Sequence, residues 1–147
     1  MRGAYKGIAL LIALGVLVQA AAVAGGWFGT INEVDGGAVV TEDYEGNFGH
    51  ALHGINGMMI MPLLGLVFFI ISFFAKLPGG VKWAGFTFLA IVVQVVLAFV
   101  AFGVPVIGAL HGLNAFVILA LAGYSGRVVA ARGAAETPQT TGAPATV

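Results

Sequence analysis

Ala51-Leu-His53-Gly-Ile-Asn56 recurs almost unchanged as Ala109-Leu-His111-Gly-Leu-Asn114, and each copy opens a long apolar run. An apolar segment containing a single glutamine precedes each copy, as Val16-Leu-Val-Gln19 and as Ile91-Val-Val-Gln94. Polar side chains are costly inside a bilayer, so polar groups at repeated positions of an apolar chain indicate a functional site. The repetition also predicts that the two halves of the chain share one structure.

The composition is that of an integral membrane protein. Of the 147 residues, 60% are hydrophobic and 8% are charged, whereas a soluble domain has about 25% charged residues. The 23 glycines suit closely packed membrane helices. The chain has no cysteine, which excludes disulfides, thiolate metal sites and cysteine nucleophiles. Its formal net charge of zero gives no indication of a nucleic-acid partner.

Four apolar segments are long enough to cross a bilayer, which takes about 20 helical residues. We predict spans near 4–27, 52–75, 81–104 and 106–128. Because the last three spans are joined by short connections, neighbouring spans should be antiparallel. The predicted fold is an all-α, up-down-up-down four-helix transmembrane bundle made of two parallel helix-pair repeats. This domain would occupy residues 1–132, and the Ala-, Thr-, Pro- and Gly-rich tail 133–147 is expected to be a disordered cytoplasmic end.

The charges predict how the bundle is oriented. All six basic residues fall on one side of this topology, and five of the six acidic residues fall in the loop 28–49 on the other side. By the positive-inside rule, both termini would be cytoplasmic and the acidic loop would lie outside the plasma membrane. An alternative is that the first span is a signal peptide with an Ala-x-Ala cleavage site. Cleavage would remove Gln19 and break the repeat.

The repeat places His53 and His111 at equivalent depths near the outer ends of spans two and four. Two facing imidazoles inside a membrane bundle suit the axial ligands of a b-type haem, whose flat macrocycle bundle cores can hold. The glycine after each histidine leaves room for the edge of the macrocycle, and the nearby Asn and Gln side chains could bind the free imidazole nitrogen or a haem propionate. The candidate cofactor-binding residues are His53, His111, Asn56, Asn114, Gln19, Gln94, Gly54 and Gly112.

Two other interpretations fit the same residues. His, Asn and Gln also form hydrogen bonds between membrane helices, each worth about 0.5–2 kcal/mol, so the protein could be a haem-free scaffold or accessory subunit. His50, one turn before His53, could instead join the repeated histidines in a site for a divalent metal such as zinc or copper. No acidic residue is predicted within a span, so the sequence gives little support for an enzyme.

Three short segments carry a family resemblance: Val92-Val-Gln94-Val-Val-Leu, Gly103-Val-Pro105 and Leu110-His111-Gly-Leu-Asn114-Ala115. They resemble the late helices of one four-helix half of the haem A synthases. The resemblance implies a b-type haem near the outer face, ligated by His53 and His111. It does not extend to hydroxylation chemistry, because that family's catalytic half has a carboxylate where this chain has His50, and the external cysteine pair of many members is absent.

The whole chain also resembles a small four-helix membrane family of actinobacteria. The runs that carry this likeness are Leu52-His53-Gly-Ile-Asn56-Gly57-Met58-Met59 and the segment 76–85. Together these observations predict a membrane protein that holds one haem b between two histidines, for electron transfer or haem handling. The expected partners are the lipid bilayer and either a respiratory-chain protein or a second copy of the chain.

Overall fold

The computed structural model describes residues 1–129 and 131, and this part of the chain is helical apart from its connections. Four helices are long and apolar enough to cross a membrane: α1 (Arg2–Asp35), α2 (Phe48–Ala75), α3 (Gly80–Gly103) and α4 (Pro105–Arg127). Each packs against the helices before and after it in the chain, and α4 returns to pack against α1. The predicted all-α four-helix bundle is confirmed. The tail 133–147 lies outside the described residues.

Each predicted span overlaps one of these helices, and α1 extends furthest beyond its predicted span. α1 continues past Trp27 to Asp35, and α2 already begins at Phe48. The segment that joins them is therefore 36–47, shorter than the predicted loop 28–49. Two of the acidic residues assigned to that loop, Glu33 and Asp35, belong to the last turns of α1.

The connecting segment folds back onto these last turns of α1, which explains why they remain helical. Thr30 is buried, and its hydroxyl lies 2.7 Å from the hydroxyl of Tyr44. Tyr44 also donates to Glu33 at 2.9 Å, and Asn47 Nδ2 donates to the carbonyl of Gly26 at 2.8 Å. Hydropathy alone cannot detect such contacts, because they come from polar side chains that are distant in sequence.

α2 is not a uniform α-helix. It runs as α-helix over Phe48–Ile55, as a π turn over Asn56–Ile60 and as α-helix again over Met61–Ala75. In the π turn, the amide of Met61 donates to the carbonyl of Asn56, five residues earlier. Pro62 follows directly after the π turn, and because it has no N–H it cannot donate to a carbonyl of the preceding turn. Such turns often occur at functional sites, and this one begins three residues after His53.

The charges lie at opposite ends of the bundle. One end carries the start of α1, the end of α2, the start of α3 and the end of α4, with the basic residues Arg2, Lys6, Lys76, Lys82 and Arg127. At this end Tyr5 is fully buried and its hydroxyl donates to the carbonyl of Gly80 at 3.0 Å. The other end carries the segment 36–47 and the acidic residues Glu33, Asp35, Glu42, Asp43 and Glu45, and the repeated histidines lie closer to this end.

Candidate functional site

The side chains of the two repeated histidines lie close together between the helices of the bundle. They come from α2 and α4, which are diagonal rather than adjacent in the ring of helices. The ring centres of His53 and His111 are 6.2 Å apart, and the ring planes make an angle of 59°. The histidines predicted to face one another therefore do so.

Each histidine is held by a backbone carbonyl of the preceding helix. His53 Nδ1 lies 3.1 Å from the carbonyl oxygen of Gln19, and His111 Nδ1 lies 3.0 Å from the carbonyl oxygen of Gln94. A carbonyl oxygen can only accept, so both Nδ1 atoms carry the proton. In the neutral ring, the lone pair then lies on Nε2, where it is free to bind a metal.

The two asparagines tie the same helix pairs together one turn deeper. Asn56 Nδ2 donates to the carbonyl of Gly15 at 3.3 Å, and Asn114 Nδ2 donates to the carbonyl of Ala90 at 2.8 Å. Both acceptors lie four residues before the repeated glutamine. The asparagines were candidates for cofactor contact, but neither lines the central cavity described below. Their hydrogen bonds instead fix the position of each histidine-bearing helix.

The glutamine side chains behave differently in the two halves. Gln94 donates from Nε2 to the carbonyl of His111 at 2.9 Å, and its Oε1 accepts from Asn114 at 2.7 Å. Gln19 Oε1, by contrast, is buried without a hydrogen-bond partner, as one of two such side-chain atoms among residues 1–129 and 131. A buried acceptor without a donor requires an explanation, because the usual rule is that such groups are paired.

The histidine pair opens onto a cavity of about 540 Å³ lined by all four helices. This volume falls within the range of about 300–1,000 Å³ that is usual for small-molecule and cofactor sites. The hydrogen-bonding side chains in its wall are the two histidines and the two glutamines. The rest of the wall is apolar or small and includes Gly54, Gly112, Met58, Met61, Phe99 and Phe102.

The glycines that follow the two histidines have open space around them, as the sequence predicts. A Cβ placed on Gly54 or Gly112 would meet nothing within 4 Å. Gly57 was not predicted as a site residue. It leaves room for the side-chain amide of Gln19, because a Cβ at position 57 would collide with Nε2 of Gln19. Gly15 and Ala90, whose carbonyls accept from the two asparagines, were not predicted either. Each is a small residue directly before the repeated glutamine segment, so the repeat could have identified them.

His50 is engaged at the start of α2. Its Nδ1 accepts from the backbone N–H of Asn47 at 3.3 Å, which completes a capping box, and its ring packs edge-on against Trp27 with centres 5.3 Å apart. His50 does not line the cavity. Within the described part of the chain, no three His, Cys, Asp or Glu residues group as metal ligands would. The divalent-metal interpretation thus finds no assembled ligand set in these residues.

Comparison with known proteins adds no family assignment. No family model, curated protein or solved structure matches this chain.

Proposed function

We propose that this protein is a membrane cytochrome that holds one b-type haem between His53 and His111. One observation carries the proposal: two imidazoles from repeated sequence segments face one another, and each has its Nδ1 bonded to an equivalent glutamine carbonyl. The Nε2 atoms are thereby left as the ligating atoms, on helices that approach the cavity from opposite sides.

The spacing of the two rings fits a shared metal ion. A metal–nitrogen bond to imidazole is about 2 Å long and the ring centre lies about 1 Å beyond the nitrogen, so two imidazoles on opposite sides of one ion have centres roughly 6 Å apart. The observed separation of the ring centres is 6.2 Å. The apolar wall and the unhindered Gly54 and Gly112 suit a flat, largely apolar ligand. The residues present therefore fit the group.

The residues around the pair would hold the ligands and tune them. The carbonyls of Gln19 and Gln94 fix the tautomer and the orientation of each imidazole, which is the usual task of groups behind a metal ligand. The apolar wall limits water around the site, and water access is one determinant of reduction potential. A haem held by His53 and His111 would supply one-electron transfer.

The proposal includes a place for the protein in the cell. Both termini would be cytoplasmic and the acidic segment would face outward, because the basic residues share one end of the bundle. The haem would then lie near the outer surface of the plasma membrane, between two parallel repeats related by an axis along the membrane normal. The resemblance to one half of the haem A synthases favours the same arrangement. A respiratory-chain protein or a second copy of the chain would be the electron-transfer partner.

A visible spectrum of the detergent-purified protein tests the proposal. We expect a reduced-minus-oxidised difference band that His53→Ala and His111→Ala each abolish. His50→Ala is the matched control: it removes an imidazole one turn away that does not line the cavity, so the band should persist. A colourless preparation that remains colourless after added haem, while the protein is folded by circular dichroism, would rule out the cytochrome.

A haem-free scaffold is the second candidate. The observation that favours it is the continuous hydrogen bonding of Gln94, His111 and Asn114 between α3 and α4. Hydrogen bonds of this kind stabilise membrane helix packing without any ligand. Under this alternative, His111→Ala would lower the unfolding free energy of a protein that never binds haem.

A further inference from the structure

The π turn of α2 joins two inward-facing rows of side chains that a regular helix would not align. After the turn, α2 buries one row with the three- and four-residue spacing of a single α-helical face: Met61, Gly65, Phe68, Ser72 and Ala75. Before the turn, the inward residues are His53 and the buried Asn56. The step from Asn56 to Met61 is five residues, one more than a face of an α-helix provides.

The second repeat makes the same connection without the extra residue. After Asn114 of α4, the next buried residue is Ile118, four residues later. This stretch of α4 is regular α-helix. The first repeat therefore has one residue more than the second between its asparagine and the buried row that follows, and the π turn accommodates that residue.

The extra residue decides which side chain of α2 faces α4. Successive residues of an α-helix differ by about 100° in direction. If the same residues formed a regular α-helix, the buried row would run from Met61 to Gly57 and then to Gly54. His53 would lie about 100° away from this row, and its imidazole would not face His111.

The residues on both sides of the turn favour the observed rotation. Pro62 comes just after the turn, and in a regular α-helix its ring would collide with the carbonyl of Met58. Before the turn, Gly49 packs against α1 so closely that an added Cβ would lie 2.6 Å from the Cα of Gly26. In a regular α-helix, His50 would take the place of Gly49 at this crossing, where its side chain has no room.

We infer that the π turn is the element that positions His53 for the haem, because its one extra residue rotates the motif of the first repeat towards that of the second. This inference rests on the proposed function for the role of the histidine. The turn is a positioning element, and the iron ligands remain His53 and His111.

The repeat offers a matched pair of residues for testing this inference. Met59 lies within the π turn, and its side chain is exposed and does not line the cavity. Counted from the histidine of each repeat, Val117 occupies the same position in α4, and its side chain is likewise exposed and outside the cavity wall. Either residue can be deleted without removing a group from the site.

The two deletions should have opposite results. Deletion of Met59 together with Pro62→Ala removes the extra residue and leaves a regular α-helix in which His53 keeps its direction. Deletion of Val117 shortens a helix that is already regular, so it turns His111 by about 100° relative to the buried row. In the visible spectrum we expect the first variant to keep the two-imidazole haem at wild-type stoichiometry and the second to lose it.

A relocated histidine distinguishes rotation of α4 from its unfolding. After deletion of Val117, residue 110 takes the place in the helix that His111 has in the wild-type protein. Leu110→His in this background should therefore restore the two-imidazole spectrum. Ala109→His, one residue further along the helix, is the control and should not restore it.

The same rotation can be measured without haem, because the chain has no native cysteine. A short bifunctional thiol reagent should cross-link the pair His53→Cys and His111→Cys within one molecule, as detected by mass spectrometry. The cross-link should persist when Met59 is deleted together with Pro62→Ala. It should disappear when Val117 is deleted.

The outcomes separate this inference from the proposed function. Absence of the cross-link in the parent cysteine pair, its loss on deletion of Met59, or equal effects of the two deletions would overturn positioning by the π turn and leave the cytochrome to be judged by its spectrum. Cross-links that follow the expected pattern in a protein that never takes up haem would support the positioning of His53 and overturn the proposed function.

Discussion

Asn114 donates to Gln94 Oε1 at 2.7 Å and to the carbonyl of Ala90 at 2.8 Å, so its one amide group joins α4 to α3 twice. The matching residue Asn56 donates to the carbonyl of Gly15 at 3.3 Å. The two repeats therefore have the same residue types at these positions, but the asparagine of the second repeat makes more and shorter hydrogen bonds. At this depth the α3–α4 pair is the more tightly bonded, and the α1–α2 pair has the glutamine whose oxygen is unpaired.

This difference predicts unequal costs for equivalent substitutions. Asn114→Leu should lower the unfolding free energy by about 1–2 kcal/mol, because it removes two hydrogen bonds and leaves Gln94 Oε1 without its donor. Asn56→Leu, which removes one long bond, should cost about 0.5 kcal/mol. Unfolding in mixed detergent micelles, followed by circular dichroism, measures both. Equal costs would mean that the side-chain bond to Gln94 contributes nothing to stability.

A second prediction concerns the crossing of α1 and α2. Gly49 packs so closely against α1 that an added Cβ would collide with the amide of Gly26 and lie 2.6 Å from the carbonyl of Ala22. Backbone atoms cannot move aside as the end of a flexible side chain can. Gly49→Ala should therefore separate the helices and lower the unfolding free energy by about 2 kcal/mol or more.

Gly54→Ala is the matched control on the same helix, because a Cβ there meets nothing within 4 Å. Alanine is favoured over glycine within a helix by about 0.5–1 kcal/mol, so this variant should be as stable as the wild-type protein or more so. The same unfolding measurement reports both variants. If Gly49→Ala proved as stable as Gly54→Ala, the close crossing would be incorrect.

Much of this architecture could be predicted from the sequence. Long apolar segments identified four helices, since bilayer thickness imposes a minimum length and lipid offers the backbone no hydrogen bonds. The repeated motif identified His53 and His111 as a pair, because equal positions in antiparallel helix pairs lie at equal depth. The histidine partners were harder to predict: the acceptors are the backbone carbonyls of Gln19 and Gln94, which every residue type possesses.

Other features depend on contacts that no local pattern encodes. The extension of α1 to Asp35 depends on Tyr44 and Asn47 folding back against it. The close approach of Gly26 and Gly49 could not be singled out in a chain with 23 glycines. The difference between Gln19 and Gln94 is also tertiary, since both residues lie among apolar neighbours in sequence and the partners of the Gln94 side chain come from α4.

A third prediction tests the proposed haem ligation by replacing one histidine with a different kind of ligand. His111→Met replaces one imidazole by a thioether, and methionine–histidine ligation raises the reduction potential of a haem. Axial ligands set haem potentials over a range of about 0.8 V, so we expect an increase on the order of 0.1 V in a redox titration followed in the visible spectrum. His50→Met is the control and should leave the potential unchanged. An unchanged potential in the His111→Met variant would mean that His111 is not a ligand.

The orientation of the bundle gives a fourth prediction, which the absence of native cysteine makes simple to test. Glu42 is exposed in the segment that joins α1 and α2, and Gly3 is exposed at the opposite end, where an added Cβ meets nothing within 4 Å. Glu42→Cys should react with a membrane-impermeant maleimide on intact cells, because the positive-inside rule puts the basic end in the cytoplasm. Gly3→Cys should react only after the cells are opened. The reverse pattern would place the histidine pair near the cytoplasmic surface, and any electron-transfer partner would then have to approach from inside the cell.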